Sequence, residues 1–246
     1  MNPRIAIPIP HSQKDQYNRH TLPLYKLAIE RCGAEPVEVP LTATPEEVAK
    51  IATSCQGVLL PGSPADVDPQ KFGELRKAET NDADPARDNA DELLLQDAYN
   101  MRKPVFGICY GLQSLNVWRT GTLLQHIASG AVDHEAGAKV PVAHTVTVKP
   151  DSKLGKIVAK ADDVNFLPVN SSHHQSASTI GDGLQAVAES EDHIIEAIEG
   201  TDPEHWVMAV QWHPERTFES EPASKALFET FVEEARKYKP KPLKSE

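Results

Sequence analysis

The stretch Lys103-Pro104-Val105-Phe106-Gly107-Ile108-Cys109-Tyr110-Gly111-Leu112-Gln113 limits this chain more than any other. Val105 to Ile108 is a short apolar run behind a proline and reads as a buried parallel strand. Leu112, Leu115 and the residues Asn116 to Trp118 are spaced for one face of a helix. Glycines two residues either side of Cys109 allow a sharp strand-to-helix turn that lifts the cysteine above a sheet, as G-x-S-x-G does for serine. At a helix N-terminus the dipole favours the thiolate. Alone, the same pattern also describes a buried cysteine in an ordinary strand-turn-helix unit.

A partner base separates the two readings. Val207 to Trp212 reads as a strand, with His213-Pro214-Glu215 at its end. In extended chain His213 and Glu215 share a face, and Pro214 stiffens the arrangement between them. By itself this is a surface turn. With Cys109 it supplies the thiol nucleophile, imidazole base and orienting carboxylate that acyl transfer requires.

The segment Gly107 to Gln113, together with His213-Pro214-Glu215, resembles the class I glutamine amidotransferase superfamily. Within it the chain is most similar to the free-standing peptidase C26 branch of γ-glutamyl hydrolases. Leu60-Pro61-Gly62-Ser63-Pro64, Arg87-Asp88, Asn116-Val117, Gly121 to Gln125 and Asn170 to Gln175 extend the match over nearly the whole chain. The resemblance implies a flavodoxin-like fold and a Cys109–His213–Glu215 triad with an oxyanion hole formed by the N–H groups of Gly62 and Tyr110. It also implies a pocket lined by Ser172, His173, His174 and Gln175, with Gln113 able to hold the substrate's amino-acid group. Arg87 and Asp88 could do the same, although Asp88 could equally cap a helix. The implied reaction is hydrolysis of a γ-glutamyl amide through a thioester. The substrate is a small molecule, and neither metal nor organic cofactor is needed.

The chain departs from this family at one place. Trp118, Arg119 and Thr120 stand where the family carries a small residue and paired glycines, which puts the local pocket shape and exact substrate in question.

The remaining elements follow in order. Strands are expected at Arg4 to Ile9, Val37 to Val39 and Gly57 to Leu60, with a helix from Leu22 to Cys32. His11 to His20 reads as a polar turn. Thr44, Pro45 and Glu47 form a helix start with a capping box. Gly62 follows the third strand, where ligands bind in open α/β sheets. The polar stretch Ala65 to Arg87 reads as a substrate-facing loop, and Asp88 to Asn100 as a helix. His144 to Val148 alternates as a strand, Ser152 to Ala159 reads as a short helix, and a strand from Val164 to Val169 leads to the polar cluster at Asn170. Leu184 to Glu189 and Ile194 to Ile198 suggest a hairpin. Pro222 to Tyr238 is a final helix, and residues 239–246 read as a frayed tail. His134, Glu135 and His144 show no recognisable metal-ligand spacing.

The strand–helix alternation before Cys109 implies one α/β domain over residues 1–246, a three-layer fold with a mostly parallel sheet, helices on both faces and extra antiparallel edge strands. With 246 residues the chain can bury a sizeable core. A net charge of −11 argues against nucleic-acid and anionic-membrane partners. Three cysteines suggest no disulfide framework, and no secretory signal or membrane span is visible, so a cytoplasmic location is expected. A homo-oligomer is left open.

Four rival readings compete with the hydrolase, of which a Cys-elbow family whose histidine directly follows the cysteine is excluded by Tyr110. An ammonia-delivering glutaminase would need a separate synthetase. A cysteine α/β-hydrolase would place its acid before the histidine. A non-catalytic binding protein on this fold would have lost a member of the triad.

Overall fold

The strands feed two cores alternately, and this builds the layers. In the computed structural model, which describes residues 2–159 and 166–240, the chain runs β1 (Arg4–Pro8), α1 (Asp15–Arg31), β2 (Glu35–Val39), α2 (Pro45–Thr53), β3 (Gly57–Leu60), α3 (Pro85–Met101), β4 (Val105–Ile108) and α4 (Tyr110–Trp118). It continues through β5 (Leu123–Leu124), β6 (His144–Val148), α5 (Lys153–Val158), β7 (Phe166–Val169), β8 (Ser176–Ala177), β9 (Leu184–Ser190), β10 (Ile195–Gly200), β11 (Val207–Val210) and α6 (Pro222–Lys237). Ile5, Ile7, Phe106, Ile108, Met208 and Val210 point to a core closed by α1 and α6. Ala6, Val58, Leu60, Val105 and Ala209 point to the opposite core, closed by α2, α3 and α4. Strand geometry sends successive side chains to opposite faces, so these nearly continuous apolar runs bury both sides of the sheet.

Among the described residues the main sheet has nine strands in the order β2-β1-β3-β4-β11-β10-β9-β6-β7. The first five are parallel, and β10, β9, β6 and β7 extend the sheet antiparallel. β5 and β8 pair separately. The register matches Leu60 with Gly107 and Ile108 with Val210. The chain therefore leaves β3, β4 and β11 side by side at their carboxyl ends, which is where the site forms.

The capping box forms as expected, with the Thr44 side chain accepting from the Glu47 N–H at 3.3 Å and the Thr44 N–H donating to Glu47 at 2.9 Å. Two expected elements shift. α1 begins at Asp15 rather than Leu22 and carries Pro23 inside it. The missing proline N–H costs a helix bond, but Leu22, Tyr25, Ala28 and Ile29 bury one continuous face across it, and that packing keeps the helix whole. α3 begins at Pro85, capped by Asp84 rather than Asp88. Of the expected strand from Val164, residues 164–165 lie outside the described residues, as do residues 241–246 of the tail.

Candidate active site

The turn after β4 is as tight as its glycines allow. Cys109 has φ 53° and ψ −105°, a conformation that costs a side-chain-bearing residue energy and is characteristic of strained functional positions. A Cβ on Gly111 would lie 2.2 Å from the Leu60 carbonyl oxygen, and one on Gly107 would lie 2.8 Å from the Gly111 oxygen. Both positions therefore require glycine. The Cys109 N–H donates to the Val210 carbonyl at 2.8 Å, tying the turn to β11.

His213 lies just beyond β11, but not on an extended strand. The strand ends at Val210, and Pro214–Arg216 form a single 3-10 turn. This turn, rather than strand alternation, brings His213 Nδ1 to 2.8 Å from Glu215 Oε1. Asn170 fixes the histidine backbone from both sides: its Nδ2 donates to the His213 carbonyl at 2.8 Å and its Oδ1 accepts the His213 N–H at 2.9 Å. His213 Nε2 is buried with no partner. A Cβ on Gly62 would fall 3.1 Å from His213 Cε1 and 3.6 Å from Cys109 Cβ, so imidazole, thiol and the loop after β3 meet at this glycine.

Burial dominates the charge states. It raises the Cys109 thiol to about 12, outweighing the opposing pull of Arg216 and the Tyr110 N–H beside the sulfur. Burial also lowers the His213 imidazole despite Glu215. Glu215 itself is held below its usual range, because the attraction of His213 and Arg216 exceeds its own desolvation. Burial thus opposes the charged form of both the thiol and the imidazole, whose Nδ1 lies against the Glu215 carboxylate. The helix terminus alone does not make a thiolate here.

A cavity of about 310 Å³ opens over the thiol, and its lining includes Cys109, Gln113, Ser172, His173, His174 and Gln175. Gln113 donates to the Gln175 carbonyl at 3.1 Å. Gln175 donates to the Gln125 carbonyl at 2.9 Å, and its own Oε1 is buried without a partner. Asp66 and Asn81 of the loop before α3 form the outer wall. That loop is pinned in place: Asp66 accepts from the Asn81 N–H at 2.7 Å and lies 3.0 Å from His174 Nε2, while Gln125 holds the Lys77 N–H and the Thr80 hydroxyl.

Other expected residues are placed differently. Arg87 does not reach the cavity. It is fully buried and donates to Asp91 at 2.7 Å, to the Pro10 carbonyl at 3.0 Å and to the Pro61 carbonyl at 2.6 Å, with its guanidinium over the Tyr110 ring. It anchors the loop that carries Gly62. Asp88 accepts the Tyr110 hydroxyl and lies 3.1 Å from Lys71 Nζ. The Gly62 N–H donates to the Tyr25 hydroxyl at 3.1 Å. Trp118 lines a separate groove of about 570 Å³ between α2 and α3, where its ring packs on Tyr99. Trp118, Arg119 and Thr120 are thus not among the residues lining the cavity over Cys109.

Three contributors were not apparent from sequence. Arg216 donates to the Ser172 hydroxyl at 2.8 Å and favours the thiolate electrostatically. Its position directly after Glu215 was the available signal. Tyr17, from the first turns of α1, is close enough to Cys109 and Glu215 for their charges to act on its phenol. Third, His134, His144 and His173 converge on Glu196 from three separate chain segments, an arrangement that no local spacing could reveal.

Residues 5–215 match the peptidase C26 family. The chain belongs to that family. It is 36% identical over 209 residues to the glutamine amidotransferase-like protein YvdE of Lactococcus lactis, covering 81% of this chain and 82% of the relative. It is 32% identical over 217 residues to the γ-glutamyl-γ-aminobutyrate hydrolase PuuD of Escherichia coli K12, covering 85% and 83%. A crystal structure of a GMP synthase component from Thermoplasma acidophilum superposes with a TM-score of 0.67 at 14% identity, covering 97% of this chain and 96% of that one, and supports the class I amidotransferase fold. As a C26 member the chain falls among hydrolases, and no described helix is long and apolar enough to cross a membrane.

Proposed function

We propose that this C26 member hydrolyses γ-glutamyl amides of small amines, with Cys109 as nucleophile, His213 as general base and acid, and Glu215 as its orienting carboxylate. The observation that carries this reading is the strained Cys109 turn set against a buried His213–Glu215 pair 2.8 Å apart. Burial disfavours a separated thiolate–imidazolium pair, so Cys109 gives its proton to His213 as sulfur attacks the γ-carbonyl. Glu215 and Arg216 then face the resulting imidazolium and any residual thiolate character. The developing oxyanion falls to the Tyr110 N–H, which already faces the sulfur. The Gly62 N–H joins it once the carbonyl displaces the Tyr25 hydroxyl. Such a donor is worth about 3–4 kcal/mol of barrier. The imidazolium protonates the departing amine, leaving a γ-glutamyl thioester, and His213 then takes a proton from water to release glutamate.

The test is glutamate release from a panel of γ-glutamyl amides, glutamine included, by wild type and Cys109→Ala. Cys109-dependent release from γ-glutamyl-γ-aminobutyrate or similar amides, with glutamine a poor substrate, is the expected result. Release from glutamine alone would replace this reading with an ammonia-delivering glutaminase. The absence of Cys109-dependent release from the whole panel would remove the γ-glutamyl assignment.

A further inference from the structure

Behind the cavity wall, three imidazoles surround one carboxylate. His134 Nδ1 lies 3.3 Å, His144 Nε2 3.2 Å and His173 Nε2 3.5 Å from the same oxygen, Glu196 Oε1. Glu196 is completely buried, and His134 and His173 nearly so. His134 Nδ1 and His173 Nε2 have no hydrogen-bond partner despite these short separations, and Glu196 Oε2 is likewise unpaired. Buried polar atoms are rarely left without partners. Here several such atoms gather in one place. Donor atoms of His134, His173 and Glu196 all lie within 4.8 Å of one another.

The nitrogen-to-oxygen separations of His134 and His173 from Glu196 are close to those of a metal site. A tetrahedral ion about 2.0–2.1 Å from nitrogen and oxygen donors holds them roughly 3.3–3.4 Å apart. The outer contacts match as well, since a metal-binding imidazole usually gives its second nitrogen to a carboxylate or backbone carbonyl. His134 Nε2 lies 3.1 Å from Asp192 Oδ2, and His173 Nδ1 lies 3.0 Å from the Gln175 carbonyl oxygen. These contacts direct His134 Nδ1 and His173 Nε2 inward as lone-pair donors.

We infer that His134 Nδ1, His173 Nε2 and Glu196 bind a divalent transition-metal cation of the zinc type, with His144 Nε2 beside the same carboxylate. Nitrogen and carboxylate donors in a four-coordinate set suit zinc better than calcium or magnesium, which prefer oxygen. The ion would be structural. It would neutralise Glu196 and fix His173, a residue of the cavity wall, while the thiol chemistry stays with Cys109. Because His173 lines the cavity, an ion could reach the site from there. This inference does not depend on the hydrolase reading, since its test measures binding rather than turnover.

The experiment strips the full-length protein with a chelator, titrates it with Zn²⁺ by calorimetry, and measures retained metal by mass spectrometry after desalting. Wild type and Cys109→Ala are expected to retain one zinc per chain, the second variant showing that the ion is not held by the catalytic thiol. Glu196→Gln and His134→Gln are expected to lose retention. Asp192→Asn, which removes only an outer contact of a partly exposed carboxylate, covers the case in which a ligand variant does not fold; it is expected to weaken binding about 10- to 100-fold. Co²⁺ in place of Zn²⁺ should give the visible absorption of a four-coordinate site in wild type. The inference is overturned if wild type retains no zinc, if retention disappears in Cys109→Ala, or if folded Glu196→Gln and Asp192→Asn bind zinc as wild type does.

Discussion

Asn170 holds His213 by both edges of its peptide group, accepting the histidine N–H at 2.9 Å and donating to its carbonyl at 2.8 Å. This grip matters because His213 stands on a turn beyond β11, where no sheet ladder fixes it. Asn170→Ala would leave the buried His213 N–H unpaired, costing about 1–3 kcal/mol, while the His213 carbonyl keeps the Arg216 N–H at 3.2 Å. The expected outcome is a lower Tm and a kcat reduced on the order of 10²-fold through misplacement of the base, with KM nearly unchanged. An unchanged kcat would show that the turn positions His213 unaided.

The pH dependence should follow the imidazole. In the proposed mechanism His213 must be neutral to accept the thiol proton, and burial lowers it from its usual 6.5. The acid limb of kcat/KM should therefore lie below pH 6.5, with activity full above it. The stability contribution has the same sign. Between the lowered folded value and the unfolded one, the unfolded chain binds more protons, so stability falls as pH drops through that window. Glu215→Gln removes the carboxylate that opposes this lowering, moving the acid limb to still lower pH and cutting kcat by roughly 10³–10⁴-fold. A pH–rate profile of both proteins reads the shift directly.

Two glycine substitutions should separate folding from chemistry. In Gly111→Ala the new methyl meets the Leu60 carbonyl, which is backbone and cannot move aside. A loss of about 3 kcal/mol or more is expected in denaturant unfolding. In Gly62→Ala the methyl instead presses on the His213 imidazole and the Tyr25 hydroxyl at 3.1 Å each. This variant should fold near normally and lose most of its turnover.

Arg216 should act on the thiol from a distance. Arg216→Gln removes the cation that favours the thiolate. Alkylation of Cys109 by iodoacetamide should then be slower at a given pH, and its rate profile should move to higher pH. An unchanged alkylation rate would restrict Arg216 to holding Ser172.

Thr120 adopts φ 71°, a left-handed conformation that favours glycine. A β-branched residue in left-handed backbone is strained by about 1–2 kcal/mol. Thr120→Gly is expected to raise Tm by a few degrees without changing activity, because this corner lies away from the cavity.

What could be read from the sequence was local. Gly107, Cys109 and Gly111 encode their turn within five residues, and Thr44 with Glu47 encodes a helix start within four, so neighbouring residues alone reveal both. The β3–β4–β11 order was legible only through family likeness, since no residue in β11 names its partner strand. The start of α1 lies earlier than its sequence suggests because a proline inside a helix is usually a stop, and only packing on the sheet could show otherwise. Arg87 looks in sequence like a surface cation available to substrate, and becomes a buried clamp once Pro10, Pro61 and Asp91 surround it. The His134–His144–His173–Glu196 cluster is invisible in sequence for the same reason: its members meet only after β6, β10 and two loops have folded together.

Cys109 follows β4 and His213 follows β11, two adjacent strands that are joined in sequence by the whole antiparallel extension. The proposed nucleophile and base thus belong to different halves of the polypeptide, and their meeting depends on the β4–β11 ladder rather than on continuity of the chain between them. A molecule opened between β5 and β6 would yield two fragments, each chemically mute, whose recombination could be followed by the return of turnover. The architecture is in that sense a two-key lock, in which completed folding is itself the condition for reactivity.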